Sequence, residues 1–147
     1  MSRPMRLSSL VRPGFRLLSG DDRTAFGFTA SGGDGCVSLL SNIAPDTCRI
    51  IFSNLRLGRL QSARQLQERL GPLEACLSKD VPAALKHALC LLGLMQPNTR
   101  LPIMELDDAD KARVARALAS VSDEGLIGTR EGVMSFSHGR TSVEPLQ

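Results

Sequence analysis

The sequence predicts an α/β fold in which two parallel strands are followed by a mostly α-helical C-terminal part. Two short apolar runs, at residues 15–19 and 35–41, flank one helical segment within about 25 residues, which is the spacing of a strand, a helix and a strand that pair in parallel. After residue 45 the apolar residues recur at every third or fourth position, a period that indicates helices.

The N-terminal elements follow from these runs. Residues 5–12 resemble the last turns of a helix. The first strand is "FRLLS", and it is followed by a turn at Gly20, Asp21 and Asp22. Asp22 is predicted to cap the helix that follows, because its side-chain oxygen suits an unpaired amide of the first turn. The second strand is "GCVSLLS".

Four helices are predicted in the remainder. The first three cover residues 45–58, 59–78 and 80–93, and Asp80 is the predicted cap of the third. The fourth begins at Asp107 or Asp108. Its core-facing residues are Val114, Ala117, Leu118 and Val121. Pro72 should bend or break the second of these helices, since proline removes one hydrogen-bond donor. Beyond residue 128 no period is visible, and a loose tail is expected.

Composition excludes several classes of protein. With 42% hydrophobic and 22% charged residues, the chain is typical of a globular domain. Its 18 basic residues are spread out, and no aromatic residues interleave with them, so nucleic-acid binding is not expected. No apolar run approaches the roughly 18 residues that cross a bilayer, so no membrane association is expected either.

The cysteines and histidines give no metal signal. Cysteines 36, 48, 76 and 90 include no CxxC pair, which fits reduced thiols and a cytoplasmic location. His87 and Cys90 are three residues apart and share a helix face, but without a second pair the packing interpretation is favoured. Neither a metal nor another cofactor is predicted.

The glycine- and aspartate-rich stretches allow two ion-site interpretations, a phosphate loop and a magnesium site, and the sequence favours neither. "GGDG" lacks the Lys-Ser/Thr of a phosphate loop and precedes a strand, the wrong order for one. A magnesium site at "SGDD" would need a second acidic cluster after the neighbouring strand, whereas Asp34 precedes that strand. For Asp21 and Asp22, helix capping is at least as favoured as a ligand role.

Four motifs in order, "LLSGDD", "GGDGCVSLLSN", "VPAALKHALCLLGL" and "RLPIMELDDADKARVARAL", resemble the C-terminal part of the dihydrodipicolinate synthase and N-acetylneuraminate lyase family. The resemblance implies the C-terminal fragment of a (β/α)₈ TIM barrel. Residues 1–58 would supply strands seven and eight, 59–128 a C-terminal helical extension, and 129–147 a loose tail.

The resemblance also implies a substrate site for pyruvate or a related 2-oxo acid. Active sites of such barrels lie at the C-terminal ends of the strands. In the family the backbone at the position of Val37 meets the bound pyruvate, and Gly20 and Asp21 end the preceding strand. Val37, Gly20 and Asp21 are therefore the candidate substrate-binding residues.

The family's catalytic amine is not expected within these residues. The family uses a lysine of strand six as a Schiff base, and one barrel unit of about 30 residues before the first strand falls ahead of Met1. No catalytic residue is therefore assigned, and the chain alone is expected to be an inactive lyase fragment. Its open sheet edges favour a homo-oligomer or a separately encoded complementary half-barrel; the alternative is a non-catalytic helical interaction module.

Overall fold

The computed structural model describes residues 3–79 and 81–127, and its elements follow the predicted order. They are α1 (Arg3–Ser8), β1 (Leu18–Ser19), α2 (Asp22–Ala30), β2 (Gly35–Cys36), a 3₁₀ helix (Leu40–Asn42), α3 (Pro45–Arg56), α4 (Leu60–Leu77), α5 (Ala83–Leu91) and α6 (Asp108–Asp123). The predicted cap at Asp80 and the predicted tail at 129–147 lie outside the described residues.

The two strands are parallel neighbours, which confirms that part of the prediction. Leu18 lies opposite Gly35 and Ser19 opposite Cys36. The ladder extends one step further, because the Val37 N–H donates to the Ser19 carbonyl oxygen at 2.8 Å. A strand, a helix and a parallel strand therefore form one βαβ unit.

Each strand is shorter than predicted, with two paired residues, and the prediction that the second reaches residue 41 is wrong. The chain turns into the 3₁₀ helix instead, because side chains satisfy the amides that a strand would leave open. Ser38 Oγ accepts from the Ser41 N–H at 2.9 Å. Asp22 accepts from the two amides that precede Ser41.

The cap of α2 is Asp21 and not Asp22, which corrects the prediction. Asp21 has an extended backbone, with φ −141° and ψ 120°, and its carboxylate accepts from the Arg23 N–H at 3.0 Å. This is the geometry of an N-cap residue. Asp22 is the first helical residue, and its carboxylate is directed to the start of the 3₁₀ helix.

Helix α4 runs through Pro72 without interruption, so the prediction of a break is wrong. Proline removes only one donor from the helix ladder. Leu70 and Leu73, in the turns around Pro72, are fully buried in the core that α4 shares with α3 and α6. That packing lies on both sides of Pro72 and favours a continuous helix, whereas a bend at Pro72 stays a prediction.

The last helix starts as predicted. Asp107 caps α6 by accepting from the Asp110 N–H at 2.7 Å. The four residues predicted to face the core are all buried: Val114, Ala117, Leu118 and Val121.

The hydrophobic core extends from the 3₁₀ helix to Leu126 and joins α3, α4, α5 and α6. It continues across residue 58, the predicted domain boundary, and that division stays a prediction. Large apolar side chains before the core are exposed, namely Met5, Leu10, Phe15, Leu18 and Val37. Within residues 3–79 and 81–127, no helix is both long and apolar enough to cross a bilayer.

Candidate functional site

The candidate site lies where the paired strands end. Gly20 follows Ser19 and Val37 follows Cys36, so the register brings Gly20 and Val37 side by side at the C-terminal edge. In parallel α/β folds this edge carries the ligand-binding loops. The structure thus brings together two of the three predicted substrate-binding residues, and Asp21 is one residue further on.

Buried Ser19 organises the turn that carries Gly20 and Asp21. Its hydroxyl accepts from the Asp21 N–H at 3.3 Å, donates to the Asp21 carbonyl oxygen at 3.0 Å and lies 3.1 Å from Thr24 Oγ1. Sequence reasoning missed Ser19. Its one signal was a polar residue at the last position of an apolar strand, directly before glycine.

Asp21 is engaged within its own helix. Arg23 donates to its carboxylate from Nε at 3.1 Å and from Nη2 at 3.0 Å. This pairing, together with the cap bond from the Arg23 N–H, lowers the pKa of Asp21 from its ordinary value. The observed contacts are those of a helix cap, and a substrate contact for Asp21 stays a prediction.

A cleft of about 290 Å³ opens beside the turn, between the start of α2 and the C-terminal end of α4. Gly20 and Asp21 line one side and Glu74 and Leu77 the other, whereas Val37 does not line it. A β-carbon added to Gly20 would meet no atom within 4 Å. Open space therefore lies in front of the Gly20 backbone, as a close-approaching ligand would need.

Glu74 is a titratable group of this cleft that sequence reasoning did not single out. Burial raises its pKa, a hydrogen bond from Gln67 Nε2 at 3.0 Å counteracts that rise, and the charges of Asp22 and Asp21 add to it. The signal in the sequence was weak, since Glu74 adjoins Leu73 in the apolar stripe of α4 and reads as a helix-surface residue.

Each of the three lysines of the chain has a partner that is not part of the cleft. Lys79 pairs with Asp110 at 3.4 Å, Lys111 pairs with Asp108 at 3.6 Å, and Lys86 donates to the Asn98 carbonyl oxygen at 2.6 Å. None lines the cleft. The residues around Gly20 therefore include no amine suited to attack a carbonyl.

Two thiols near the site, Cys36 of β2 and Cys48 of α3, favour the protonated form. Burial, with a further contribution from the charge of Asp22, raises the pKa of Cys36 and of Cys48 to about 11. A protonated thiol is a poor nucleophile and a poor metal ligand. In the part of the chain that the structure describes, no three His, Cys, Asp or Glu side chains are grouped to hold a metal.

Comparison with known proteins identifies the family. Residues 1–121 match the model of the dihydrodipicolinate synthetase family. The chain belongs to that family. The match covers the strand pair, the cleft and the helices as far as Val121.

Two curated relatives carry the same activity name. The chain is 38% identical over 122 residues to the 4-hydroxy-tetrahydrodipicolinate synthase of Acidiphilium cryptum, covering 82% of the chain and 42% of the relative. It is 41% identical over 105 residues to the enzyme of the same name from Bartonella bacilliformis, covering 71% of the chain and 36% of the relative. The chain spans about two fifths of the length of these relatives.

Solved structures give the same result for the fold. The 4-hydroxy-tetrahydrodipicolinate synthase of Methylacidiphilum fumariolicum superimposes with a TM-score of 0.78 at 29% identity, covering 86% of the chain and 44% of that structure. The dihydrodipicolinate synthase of Acinetobacter baumannii, solved in complex with pyruvate, gives a TM-score of 0.74 at 28% identity, covering 85% and 42%. These neighbours are TIM barrels, and two parallel strands followed mostly by helices are consistent with part of such a barrel.

Proposed function

We propose that this chain supplies the strand-seven and strand-eight portion of an aldolase-type lyase site for pyruvate or a related 2-oxo acid. The observation that carries the proposal is the register of β1 and β2, which sets Gly20 beside Val37 at the C-terminal edge. The chain's membership of the dihydrodipicolinate synthetase family supports the proposed chemistry at that edge.

The backbone at Val37 is the proposed contact with the keto acid. Its N–H is already bonded to Ser19, so the groups left for a ligand are the Val37 carbonyl oxygen and side chain. The residue is 68% exposed. Gly20, which the register sets beside Val37, has open space in front of its backbone. Asp21, one residue further on, is proposed as the third residue of this edge. A relative solved with pyruvate supports this class of ligand.

The amine of the reaction is proposed to come from a different stretch of polypeptide. Schiff-base chemistry requires a desolvated lysine beside the carbonyl, and the three lysines here are engaged elsewhere. We propose that these 147 residues form no imine alone. A complementary barrel portion would supply the amine, whereas a homo-oligomer would cover the open strand edges without adding one. Both are proposed for a cytoplasm, where free cysteines such as these four stay reduced.

The test is reconstitution with a relative. The chain is mixed with the N-terminal part of the Acidiphilium cryptum enzyme that lies outside the match. Pyruvate and borohydride are then added, and mass spectrometry locates reduced adducts. We expect a pyruvate-dependent adduct on the relative's fragment that increases when the chain is present. No increase on mixing, or an adduct on the chain by itself, contradicts the proposal.

The second candidate is a non-catalytic interaction module, and the exposed apolar side chains at Leu18 and Val37 favour it. Such a module would associate with a barrel portion without adding to imine formation. Sedimentation of the same mixture separates the two functions. A complex without a pyruvate adduct selects the module, whereas a complex with the adduct selects the lyase.

A further inference from the structure

Asp22 connects the two sides of the candidate site. Its Oδ2 accepts from the Leu39 N–H at 2.7 Å and from the Leu40 N–H at 3.1 Å, and its Oδ1 lies 3.9 Å from the Cys36 thiol. These partners lie 14 to 18 residues along the chain. A carboxylate at the start of α2 thus holds the segment in which β2 becomes the 3₁₀ helix.

This carboxylate is not needed by its own helix. Asp21 already caps α2, and the Asp21 carboxylate is further occupied by Arg23. Two backbone amides bonded to one ionised oxygen form charge-assisted hydrogen bonds, which are roughly twice as strong as neutral ones. The side chain of Asp22 therefore fixes a distant segment rather than the turn in which it lies.

The segment that Asp22 holds is the one that carries Val37. On one side, Val37 is tied to β1 by the single bond from its N–H to Ser19. On the other, Ser38 intervenes before the two amides that Asp22 accepts. Within residues 3–79 and 81–127 the sheet has two residue pairs, so these hydrogen bonds are the restraints that flank the Val37 carbonyl group.

We propose that Asp22 is a positioning residue that fixes the Val37 backbone, through Leu39 and Leu40, at the edge where a keto acid is bound. The inference rests on the proposed function for its ligand, and on the geometry alone for the clamp. Asp22 also adjoins the Gly20–Asp21 turn. One carboxylate therefore sets the distance between the two strand ends.

The first measurement is amide hydrogen exchange on the isotopically labelled full chain, which needs neither pyruvate nor a second fragment. In Asp22→Asn we expect exchange at Leu39, Leu40 and Val37 to accelerate by about tenfold, because a neutral amide replaces the ionised acceptor. Asp22→Glu keeps the charge and should restore part of the protection.

The matched control is Asp46→Asn, because Asp46 is also an acidic residue in the first turn of a helix, and its recorded partner is Arg49 at 3.6 Å. This substitution should leave the exchange rates of the Val37, Leu39 and Leu40 amides unchanged. Equal exchange in Asp22→Asn and Asp46→Asn overturns the proposal. So does a parallel loss of protection at core residues such as Leu70 and Val114, since that would assign Asp22 to overall stability.

The second measurement is the pyruvate dependence of adduct formation in the reconstituted mixture. Asp22→Asn should raise the pyruvate concentration for half-maximal trapping about tenfold while leaving the maximal trapped fraction unchanged, because the lysine is untouched and only the binding contact moves. A lower maximum with unchanged half-saturation contradicts the positioning role. If the unaltered mixture traps nothing, the proposed function fails, and the exchange measurement alone decides whether Asp22 positions Val37.

Discussion

The two ends of the described chain are held together by different interactions. From Leu40 to Leu126, apolar side chains of α3, α4, α5 and α6 form one continuous core. From residue 3 to residue 39, Leu17 and Ala25 are buried but lie outside that core, and Phe26 packs against it only partly buried. Five other large apolar side chains of this part are exposed: Met5, Leu10, Phe15, Leu18 and Val37. The helical part therefore has its own source of hydrophobic stabilisation, and the strand part has little.

Polar cross-links take the place of a core in the strand part. The Asp34 carboxylate accepts from the Leu17 N–H at 2.8 Å and from Arg16 at 2.9 Å, and Asp22 holds the end of β2. Among the described residues β1 and β2 pair only with each other, so the outer edge of each is open. A parallel strand in a barrel has a neighbour on each side. The open edges therefore support the proposal that a complementary barrel portion pairs with these strands.

The greatest loss of stability is expected from a substitution in the core of the helical part. Leu70→Ala removes a fully buried side chain of α4 and should lower the free energy of unfolding by about 2–5 kcal/mol. Leu60→Ala, in the same helix but 49% exposed, is the control and should stay within about 0.5 kcal/mol. Urea unfolding followed by circular dichroism measures both. Equal losses would mean that α4 does not bury the face described.

A smaller effect is expected where the same core buries a polar group. Thr47 Oγ1 donates to the Leu126 carbonyl oxygen at 2.7 Å, and Thr47 is buried. Thr47→Val keeps the shape but leaves that oxygen unpaired, at an expected cost of about 1–3 kcal/mol. Thr47→Ser keeps the hydroxyl and should lose less. If Thr47→Ser and Thr47→Val lower the free energy of unfolding in urea equally, the hydrogen bond from Thr47 to Leu126 does not contribute to stability.

The sequence was most informative where periodicity decides structure. Val114, Ala117, Leu118 and Val121 recur at helical spacing, and all are buried in α6. The parallel pairing of the strands was also predictable, because a helix of nine residues lies between them and fits a crossover.

What the sequence did not predict depends on contacts between distant residues. Asp21 and Asp22 are neighbours of the same type, and only the fold shows that the first caps α2 while the second reaches Leu39. Ser38 ended the second strand early through a local bond that competes with the ladder. Pro72 was tolerated because tertiary packing outweighed one lost donor. Each is a case of long-range or side-chain bonding that composition and period do not encode.

Asp34 provides one of the polar cross-links of the strand part, through Leu17 and Arg16. The hydrogen bond from the Leu17 N–H, and to a smaller extent the one from Arg16, lowers the pKa of Asp34 below its ordinary value of 3.8. A lowered native pKa stabilises the fold above 3.8, and this contribution is lost as the pH falls through the lower native value. Asp34→Asn should abolish that acid dependence of amide exchange at Leu17.

Arg16→Gln is the control for that experiment, because it leaves the backbone bond from Leu17 to Asp34 in place. It should retain most of the acid dependence. An unchanged pH profile in Asp34→Asn would show that the carboxylate does not hold β1. Protection of the core amides in α4 and α6 should be the same in both variants.

The smallest effect is expected on the outward face of β1, and it is the sharpest test of the comparison. Leu18 is 53% exposed and its neighbour Leu17 is 9% exposed, so adjacent leucines lie in opposite environments. Leu18→Thr should change the free energy of unfolding by less than about 0.5 kcal/mol, whereas Leu17→Thr should cost more because it removes buried apolar surface. Urea unfolding of the chain at several protein concentrations measures both. A larger loss in Leu18→Thr that grows with protein concentration would show that a second copy covers this face. In the mixture with a complementary barrel portion, Leu18→Thr should instead weaken association, because the same side chain then becomes buried.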